Sequence, residues 1–456
     1  MIPVVTVAQM RASDAAATDP IDTLIERSGA AVARAAMRML GGGYGRRVAV
    51  VVGPGKNGAD GAVAAVRLRR RGVGVDIVAA AAAPERLAGY DLVIDAAFGT
   101  GFRGEYRAPD PGGTPVLAVD IPSGVHGDTG EAADSAVRAD ATVVLAALKP
   151  GVLFGEGRER AGAVEVADIG LAIGEPSALV VETADVHCHV PRRSPETHKW
   201  AAGVYVVAGS AGMYGAADLC ARAALRAGAS TVRLAIPGAS PGDLPISEAI
   251  GVALPGEGWA DEVLEQAPRF KALVIGPGLG RSDATAADVR RVVAGADIPV
   301  LVDADALHAL GKAHDAVGVI SARSVATVLT PHDGEFERLA GTAPGPDRLG
   351  AAGRLASETG AIVLSKGSTT VVAEKGRPAL ISTSGSSRLA TAGTGDVLAG
   401  VIGAFLAMGV EPQLAAALGA HVHGEAARLG PAWGLLAGDL VDLVPQFLAG
   451  ALADPR

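Results

Sequence analysis

The sequence is poor in aromatic residues: Phe, Tyr and Trp together make up 3% of its 456 residues. Cores must be filled by Val, Leu, Ile and Ala instead, which suits layered α/β packing. Only two cysteines are present, which excludes a disulfide framework and makes a reducing, cytoplasmic setting the expectation. Positive charge is in deficit, with 40 Lys and Arg against 49 Asp and Glu and a net charge of -9. A chain this acidic binds a phosphate backbone poorly, so nucleic acid is not an expected partner. The N-terminal stretch lacks a basic region running into an apolar one, so no secretory leader is expected. The longest apolar run, 397–410, is too short to cross a bilayer and reads as a buried helix, so no membrane is expected either.

Glycine is abundant, at 62 residues, about twice the usual share of ~7%. It shows no collagen period and no short solenoid repeat. Hydrophobic residues reach 49% and charged residues 20%, so long disorder is excluded. At roughly 150 residues per domain, the length allows three domains or two large ones.

Short apolar runs alternate with glycine-rich punctuation. Those at 48–52, 73–78, 92–94, 116–119 and 143–145 read as strands buried on both faces of a parallel sheet. Helices fit at 20–40 and 60–71. Asp19 is placed to cap the first, Pro20 suits its first turn, and Ile25, Val32, Ala36 and Met39 share a face. The polar stretch 182–199 breaks the rhythm and reads as a linker or the entry to a second domain. Strand-like runs then resume at 204–207, 232–236, 273–275, 300–302, 325–329, 362–364 and 370–372, with a helix at 216–227 and a long helical region from Asp396. The expected organisation is two α/β domains, 1–190 and 191–456.

In open α/β sheets, ligands bind outside the carboxyl ends of the strands. Three strand ends in the first half carry GPGKNGADG, DAAFGTG and DIPSG. Backbone amides in such turns suit a pyrophosphate. Asp120 is the best acid/base candidate. Asn57, Asp95 and Ser123 supply oxygen ligands for a cation whose identity they leave open. Gly53, Gly55 and Gly58 match the dinucleotide fingerprint, with Asp76 further on, but Gly99, Gly101 and Gly104 match it equally. A tight strand-to-helix turn explains either match.

The second half carries a sharper signal. Gly393, Thr394 and Gly395 leave bare amides at a helix start, where an anion can sit beside Asp396. A carboxylate there gains nothing from the anion, so accepting a proton is its natural role, with simple N-capping the alternative. Lys366, Gly367, Ser368, Thr369 and Thr370 offer a cation and hydroxyls to phosphates. In TPHDGEF, Glu335 can organise metal-bound water and His332 can touch a substrate. Further strand ends carry GPGLG and Asp303-Ala-Asp305. Pro241 argues against a nucleophile elbow at Gly238-Ala-Ser240, and no Walker-A sequence is present. His187-Cys-His189 lacks a partner pair at zinc spacing, and His421 and His423 point to different helix faces.

Taken in order, these segments resemble the bifunctional NAD(P)H-hydrate repair enzymes over nearly the whole chain. GPGKNGADG, DAAFGTGFRG and VDIPSG resemble the epimerase domain, which implies a Rossmann-like parallel sheet. HKWAAG, GSAGMYGAADL, GPGLG, TPHDGEF, SKGSTT and TAGTGD resemble the ribokinase-like dehydratase domain. The resemblance implies repair of nicotinamide nucleotides hydrated at ring carbon C6. One half interconverts the R and S hydrates of NADH and NADPH. The other uses ADP to phosphorylate the S hydroxyl and eliminate phosphate, restoring NAD(P)H and leaving AMP.

By the same resemblance, Lys56, Asn57, Gly58, Ala59, Asp60, Gly99, Thr100, Gly101, Phe102, Arg103, Gly104, Glu105 and Asp120 form the epimerase substrate site. Potassium would be held by Asn57, Asp95 and Ser123. Ala217, Gly278, His332 and Asp396 would contact the hydrate in the dehydratase. Lys366 through Thr370, with Gly393, Thr394 and Gly395, would hold ADP, and magnesium would meet Glu335 through water. Asp120 and Asp396 are the implied catalytic residues, and a homo-oligomer is expected. The chain departs from the family pattern at Lys56, Ala59 and Trp200, where Asn, Gly and Gly are usual. Rival readings are a ribokinase-like kinase of a small alcohol, a non-catalytic nucleotide-binding protein and, on the glycine fingerprints alone, a nicotinamide-dependent oxidoreductase.

Overall fold

The computed structural model describes residues 1–102, 104, 106–245 and 248–453. The chain divides into two compact units, Ile2–Ala178 and Leu179–Arg456 with Met1.

The first unit holds β1 (Ile2–Val4), α1 (Val7–Ala15), α2 (Ile21–Leu40), β2 (Arg47–Val52), α3 (Lys56–Arg69), β3 (Gly74–Ala79), β4 (Leu92–Ala96), β5 (Val116–Val119), β6 (Ala141–Leu145), α4 (Gly155–Ala161) and β7 (Ala163–Ala167). Its parallel sheet runs β3–β2–β4–β5–β6–β7. Alternate strand residues serve the two faces. Val48, Val50, Ile94, Leu117 and Val119 join Val32, Ala36, Ala64 and Leu68 of α2 and α3 in one core. Val51, Val93, Val116 and Ala118 face the other way, against Leu87, Tyr106 and Val137. The chain leaves β2 for β3 on one side and returns to β4 on the other. That reversal opens a crevice at the carboxyl ends of β2 and β4, where a ligand can enter.

The second unit holds β8 (Ala178–Val180), α5 (Thr183–His189), β9 (Gly203–Val207), α6 (Tyr214–Arg226), β10 (Thr231–Pro237), β11 (Ile250–Leu254), α7 (Ala260–Gln266), β12 (Ala272–Ile275), α8 (Asp283–Gly295), β13 (Val300–Val302) and α9 (Asp305–Leu310). It continues with α10 (Ala313–Ile320), β14 (Thr327–Leu329), α11 (Asp333–Ala340), α12 (Arg348–Thr359), β15 (Ile362–Ser365), β16 (Thr370–Ala373), β17 (Ala379–Ser382), α13 (Thr394–Ala407), α14 (Pro412–Leu429) and α15 (Ala437–Ala451). The sheet order is β8–β17–β16–β15–β14–β13–β12–β9–β10–β11. Strand pairs from β11 to β15 are parallel. Beyond β15 the two hairpin pairings are antiparallel, because the connections are too short for a parallel crossover. Here the reversal lies between β9 and β12. Helices α6, α13, α14 and α15 bury their apolar stripes with Val204, Val206, Val274, Leu301 and Leu364.

Several sequence expectations shift. Asp19 does not cap α2; it pairs with Arg27 at 2.6 Å, and Pro20 is the cap residue. Met39 is exposed, because the buried stripe runs through Leu24, Ser28, Ala31, Val32, Ala35 and Ala36. The small residues let α3 approach: a Cβ on Gly29 would lie 2.5 Å from Val63. The polar stretch from 182 opens with helix α5, capped by Glu182 and anchored in the second unit's core by Val186. No described helix is long and apolar enough to cross a membrane.

Candidate functional site

In the first unit, strand ends and the three helices α1, α2 and α3 line a cavity of about 720 Å³. Lys56, Asn57, Asp60, Gly99, Thr100, Gly101, Phe102 and Asp120 line it. The expected contacts at Arg103 and Glu105 lie outside the described residues. The turn after β2 is tight: a Cβ on Gly58 would lie 2.0 Å from the Gly53 oxygen, and one on Gly53 would lie 1.7 Å from that of Ala97. These glycines bring the start of α3 against the end of β4, so the close approach needs them.

Asp120 follows β5 with φ at +67°, a left-handed conformation that few non-glycine residues adopt. The strain is held by a local network. Lys149 Nζ donates to Asp120 Oδ1 and, at 2.8 Å, to the Leu145 carbonyl. The Leu145 amide donates to the same Asp120 oxygen at 3.1 Å. Lys149 is wholly buried. No glycine motif marks Lys149 in the sequence, although it also follows a strand end, that of β6. Asp60, on the first turns of α3, is 5% exposed. Burial, then the charge of Asp120, push its carboxyl up to about 8. The cavity therefore pairs a neutral carboxylic acid with an anchored carboxylate. Lys56 pairs with Asp14 at 3.0 Å, outside the Asp120 pair.

Asp95 ends β4 and is wholly buried. It accepts from Ser123 N at 2.8 Å and from Ser123 Oγ at 2.7 Å, and burial raises it to about 6. Among the described residues, no side-chain cation contributes to that shift. Asn57 is also buried and its amide nitrogen has no partner among the described residues. The Asp95 carboxyl, the Ser123 hydroxyl and the Asn57 amide oxygen are oxygen donors of the kind that suits a hard cation.

In the second unit, the glycine-flanked start of α13 is as expected. Gly393 caps it at φ +92°, and Asp396 sits in its first turn. Burial, then Asp303, raise Asp396 to about 7, while Lys366 opposes the rise. Lys366 Nζ donates to Asp303 Oδ1 at 2.6 Å. A Cβ on Gly395 would lie 3.7 Å from Lys366 Nζ, so the two expected nucleotide segments meet. The Lys366 amide donates to the Pro331 carbonyl at 2.9 Å, bringing TPHDGEF alongside. Gly367 and Ser368 are exposed, Thr369 is buried, and the Thr370 hydroxyl donates back to the Gly367 carbonyl at 3.3 Å. Thr394 donates its hydroxyl to the Leu389 carbonyl, and its own carbonyl meets His423 Nε2 at 2.8 Å. His421 meets Thr183 Oγ1 at 3.1 Å, so both α14 histidines have packing partners.

His332 caps α11: its Nδ1 accepts from Gly334 N at 3.1 Å and Glu335 N at 3.3 Å. With Nδ1 accepting, Nε2 is the donor nitrogen, and it lies 3.5 Å from Glu335 Oε1. Glu335 closes the capping box by accepting from His332 N at 2.9 Å. Gly278 takes φ +65° beside Met213 and Ala216, and its carbonyl accepts from Ser210 Oγ at 2.8 Å. Ala217 is buried in α6 against Gly209. Gly209 donates its amide to the Pro277 carbonyl at 2.7 Å, tying together the loops that follow β9 and β12.

Comparison with known proteins agrees with this division. The NAD(P)H-hydrate dehydratase family model matches residues 204–443, and the YjeF-related protein N-terminus model matches 21–88 and 79–151. The bifunctional NAD(P)H-hydrate repair enzyme of Mycobacterium leprae is 39% identical over 460 residues, covering 94% of each chain. The crystal structure of an ADP/ATP-dependent NAD(P)H-hydrate dehydratase from Bacillus subtilis, co-crystallised with ATP and magnesium, is 28% identical. It covers 59% of this chain and 97% of its own, with a TM-score of 0.50. A ribokinase-like superfamily protein from Enterococcus faecalis shares the fold at 20% identity and a TM-score of 0.53, covering 62% of this chain and 99% of its own. The two residue clusters, each at the carboxyl ends of its own parallel sheet, thus fall within two matched regions, and the chain belongs to the bifunctional NAD(P)H-hydrate repair enzyme family, with an epimerase unit followed by a dehydratase unit.

Proposed function

We propose that Asp396 is the proton acceptor of the dehydratase and that Asp60 and Asp120 share the acid–base work of the epimerase. The observation that carries the first assignment is a carboxyl held near neutrality at a glycine-flanked helix start, beside Lys366.

Hydroxide is a poor leaving group, and phosphorylation removes that obstacle. The C6 oxygen of the S hydrate attacks the β-phosphorus of ADP as its proton passes to Asp396. The bond between phosphorus and the bridging oxygen breaks, and AMP leaves with the electron pair. The C6–O bond then breaks towards phosphate, the ring nitrogen supplies electrons, and loss of the C5 proton restores the dihydronicotinamide. The bare amides at the start of α13 and the Lys366 cation meet the charge on the transferred group. His332, with Nδ1 occupied by backbone amides, would turn its Nε2–H from Glu335 Oε1, 3.5 Å away, to the substrate. Magnesium, when bound, neutralises phosphate charge. Glu335 suits it through water, since a carboxylate already accepting one amide keeps further lone pairs. The magnesium and ATP of the Bacillus subtilis crystal support this nucleotide chemistry.

In the epimerase, inversion at C6 needs the hydroxyl to depart and water to return on the other face. Asp60, protonated at neutral pH, donates to the departing oxygen, and Asp120, anchored by Lys149, accepts from the entering water. Potassium would be held by Asn57, Asp95 and Ser123, supplying a fixed charge near the glycine turn after β4.

The experiment is to incubate the whole protein with each hydrate epimer, with ADP or ATP and with potassium or sodium. Recovery of dihydronicotinamide absorbance from the S form only with nucleotide, and from the R form with a lag, supports both steps. A stable phosphoester would instead identify an alcohol kinase.

A further inference from the structure

Asp303 follows β13 and is 1% exposed. Three contacts converge on it. Lys366 Nζ and Thr330 Oγ1 donate to its Oδ1, at 2.6 and 2.7 Å, and its backbone amide donates to the Ile275 carbonyl at 3.1 Å. The backbone is equally constrained. A Cβ on Gly276 would lie 1.8 Å from the Asp303 carbonyl oxygen, and Ala304 takes φ +50°. Strained backbone of this kind clusters at functional sites. Lys366 is 20% exposed on its side chain while Asp303 is 2%. The pair therefore leaves the ammonium partly exposed, near Gly395, and keeps the carboxylate buried.

We propose that Asp303 is a positioning residue of the dehydratase step: it fixes the Lys366 ammonium beside Gly395, where that cation meets the transferred phosphoryl group as Asp396 takes the hydroxyl proton. This rests on the dehydratase reading above and deepens it.

A lysine on a four-carbon stem gains most from such anchoring, because its rotamer freedom otherwise spreads the charge over many positions. Asp303 also sets the protonation of its neighbour. The ionisable groups coupled to Asp396 are Asp303 after β13, Asp305 at the start of α9, Lys366 after β15 and Cys220 on α6. His423 of α14 lies close enough to Lys366 for its own pKa to fall, and burial lowers it to about 4, so it is neutral. On α15, Asp439 is spent capping its own helix, accepting from Leu436 N at 3.0 Å. Asp305 is tied to Arg281 at 2.7 Å. Asp303 is thus the anion with the largest effect on Asp396.

The test compares Asp303→Asn and Asp303→Glu in the whole protein, measuring kcat, KM for the S hydrate and the pH profile with ADP. Asp303→Asn removes the charge but keeps an oxygen for Thr330. It should lower kcat at least ~10-fold with little change in KM, as loss of a transition-state charge contact does. Asp396 then loses an anionic neighbour, so the acid limb of the kcat profile should move to lower pH by about one unit. Asp303→Glu keeps the charge and displaces the ammonium, so kcat should fall while the limb stays near its original position. Thr330→Val, which leaves both charges in place, should leave the limb unmoved. Circular dichroism and thermal melting establish that each variant is folded, and Asp303→Glu serves alone should Asp303→Asn not fold. A limb that does not move in Asp303→Asn, or a full kcat in Asp303→Glu, overturns the assignment. If the native protein itself fails to dehydrate the S hydrate, the dehydratase reading fails instead.

Discussion

Asp60 shows how burial turns a carboxylate into an acid. Its folded pKa, about 8, lies far above the model value of 3.8. A raised carboxyl costs stability above its unfolded pKa, because the folded state holds a proton the unfolded chain has released. The cost grows as pH rises from about 4 to about 8, the window between those two values. Asp60→Asn should therefore raise the melting temperature of the first unit at neutral pH, and the gain should vanish below pH ~4. The same variant should lose about 100-fold or more in epimerisation, since an amide cannot donate the required proton. Differential scanning calorimetry and an epimer-resolved chromatographic assay check the two halves. Lys149 makes the complementary case. Lys149→Ala leaves Asp120 partly buried without its cation, and such a loss typically costs about 3–5 kcal/mol; denaturant titration of the variant measures it.

The site residues differ in how legible they were. Asn57, Asp95, Asp120, Ser123, Lys366 and Asp396 each follow a glycine-marked strand end or helix start, so chain position alone exposed them. Lys149 did not, because its significance depends on Asp120, 29 residues away. Asp303 was visible as a strand-end acid, but its partner Lys366 lies 63 residues on.

At the scale of elements, glycine decides how closely helices and strands meet. Gly400 of α13 faces α6, where an added Cβ would lie 2.2 Å from the Cys220 carbonyl. Gly400→Val must push α13 away and with it Asp396, so dehydratase activity should fall by roughly 100-fold, the cost that a displacement of about 1 Å carries. A steady-state assay and circular dichroism separate this from unfolding. Strand positions were readable because continuous Val, Leu and Ile runs mark buried parallel strands. The antiparallel turn-back at β16 and β17 was not, since Thr370–Ala373 and Ala379–Ser382 carry the same short apolar signature as parallel strands. On α2, Val32 and Ala36 lie on the buried stripe as expected and only Met39 was misplaced, since the stripe is continued by Ser28, Gly29 and Ala35 rather than by large side chains. Helix α5 hid in a polar stretch because its hold on the second unit rests chiefly on Val186.

At the scale of the molecule, each compact unit closes its own core and carries its own cluster of candidate site residues. Damage to one active site should therefore leave the other at work. Asp120→Asn should abolish use of the R hydrate while dehydration of pure S hydrate proceeds at the native rate. The family assignment was readable because several short motifs recur in fixed order along both halves, whereas any single glycine motif in so glycine-rich a chain was ambiguous. The most direct measurement is the rate of dihydronicotinamide recovery from S hydrate and ADP, across pH, for the native protein and Asp396→Asn. A rate that rises with pH through about 7 in the native protein, and falls at least ~100-fold in the variant while epimerisation persists, is the expected result. An Asp396→Asn protein that turns over at the native rate would contradict the account.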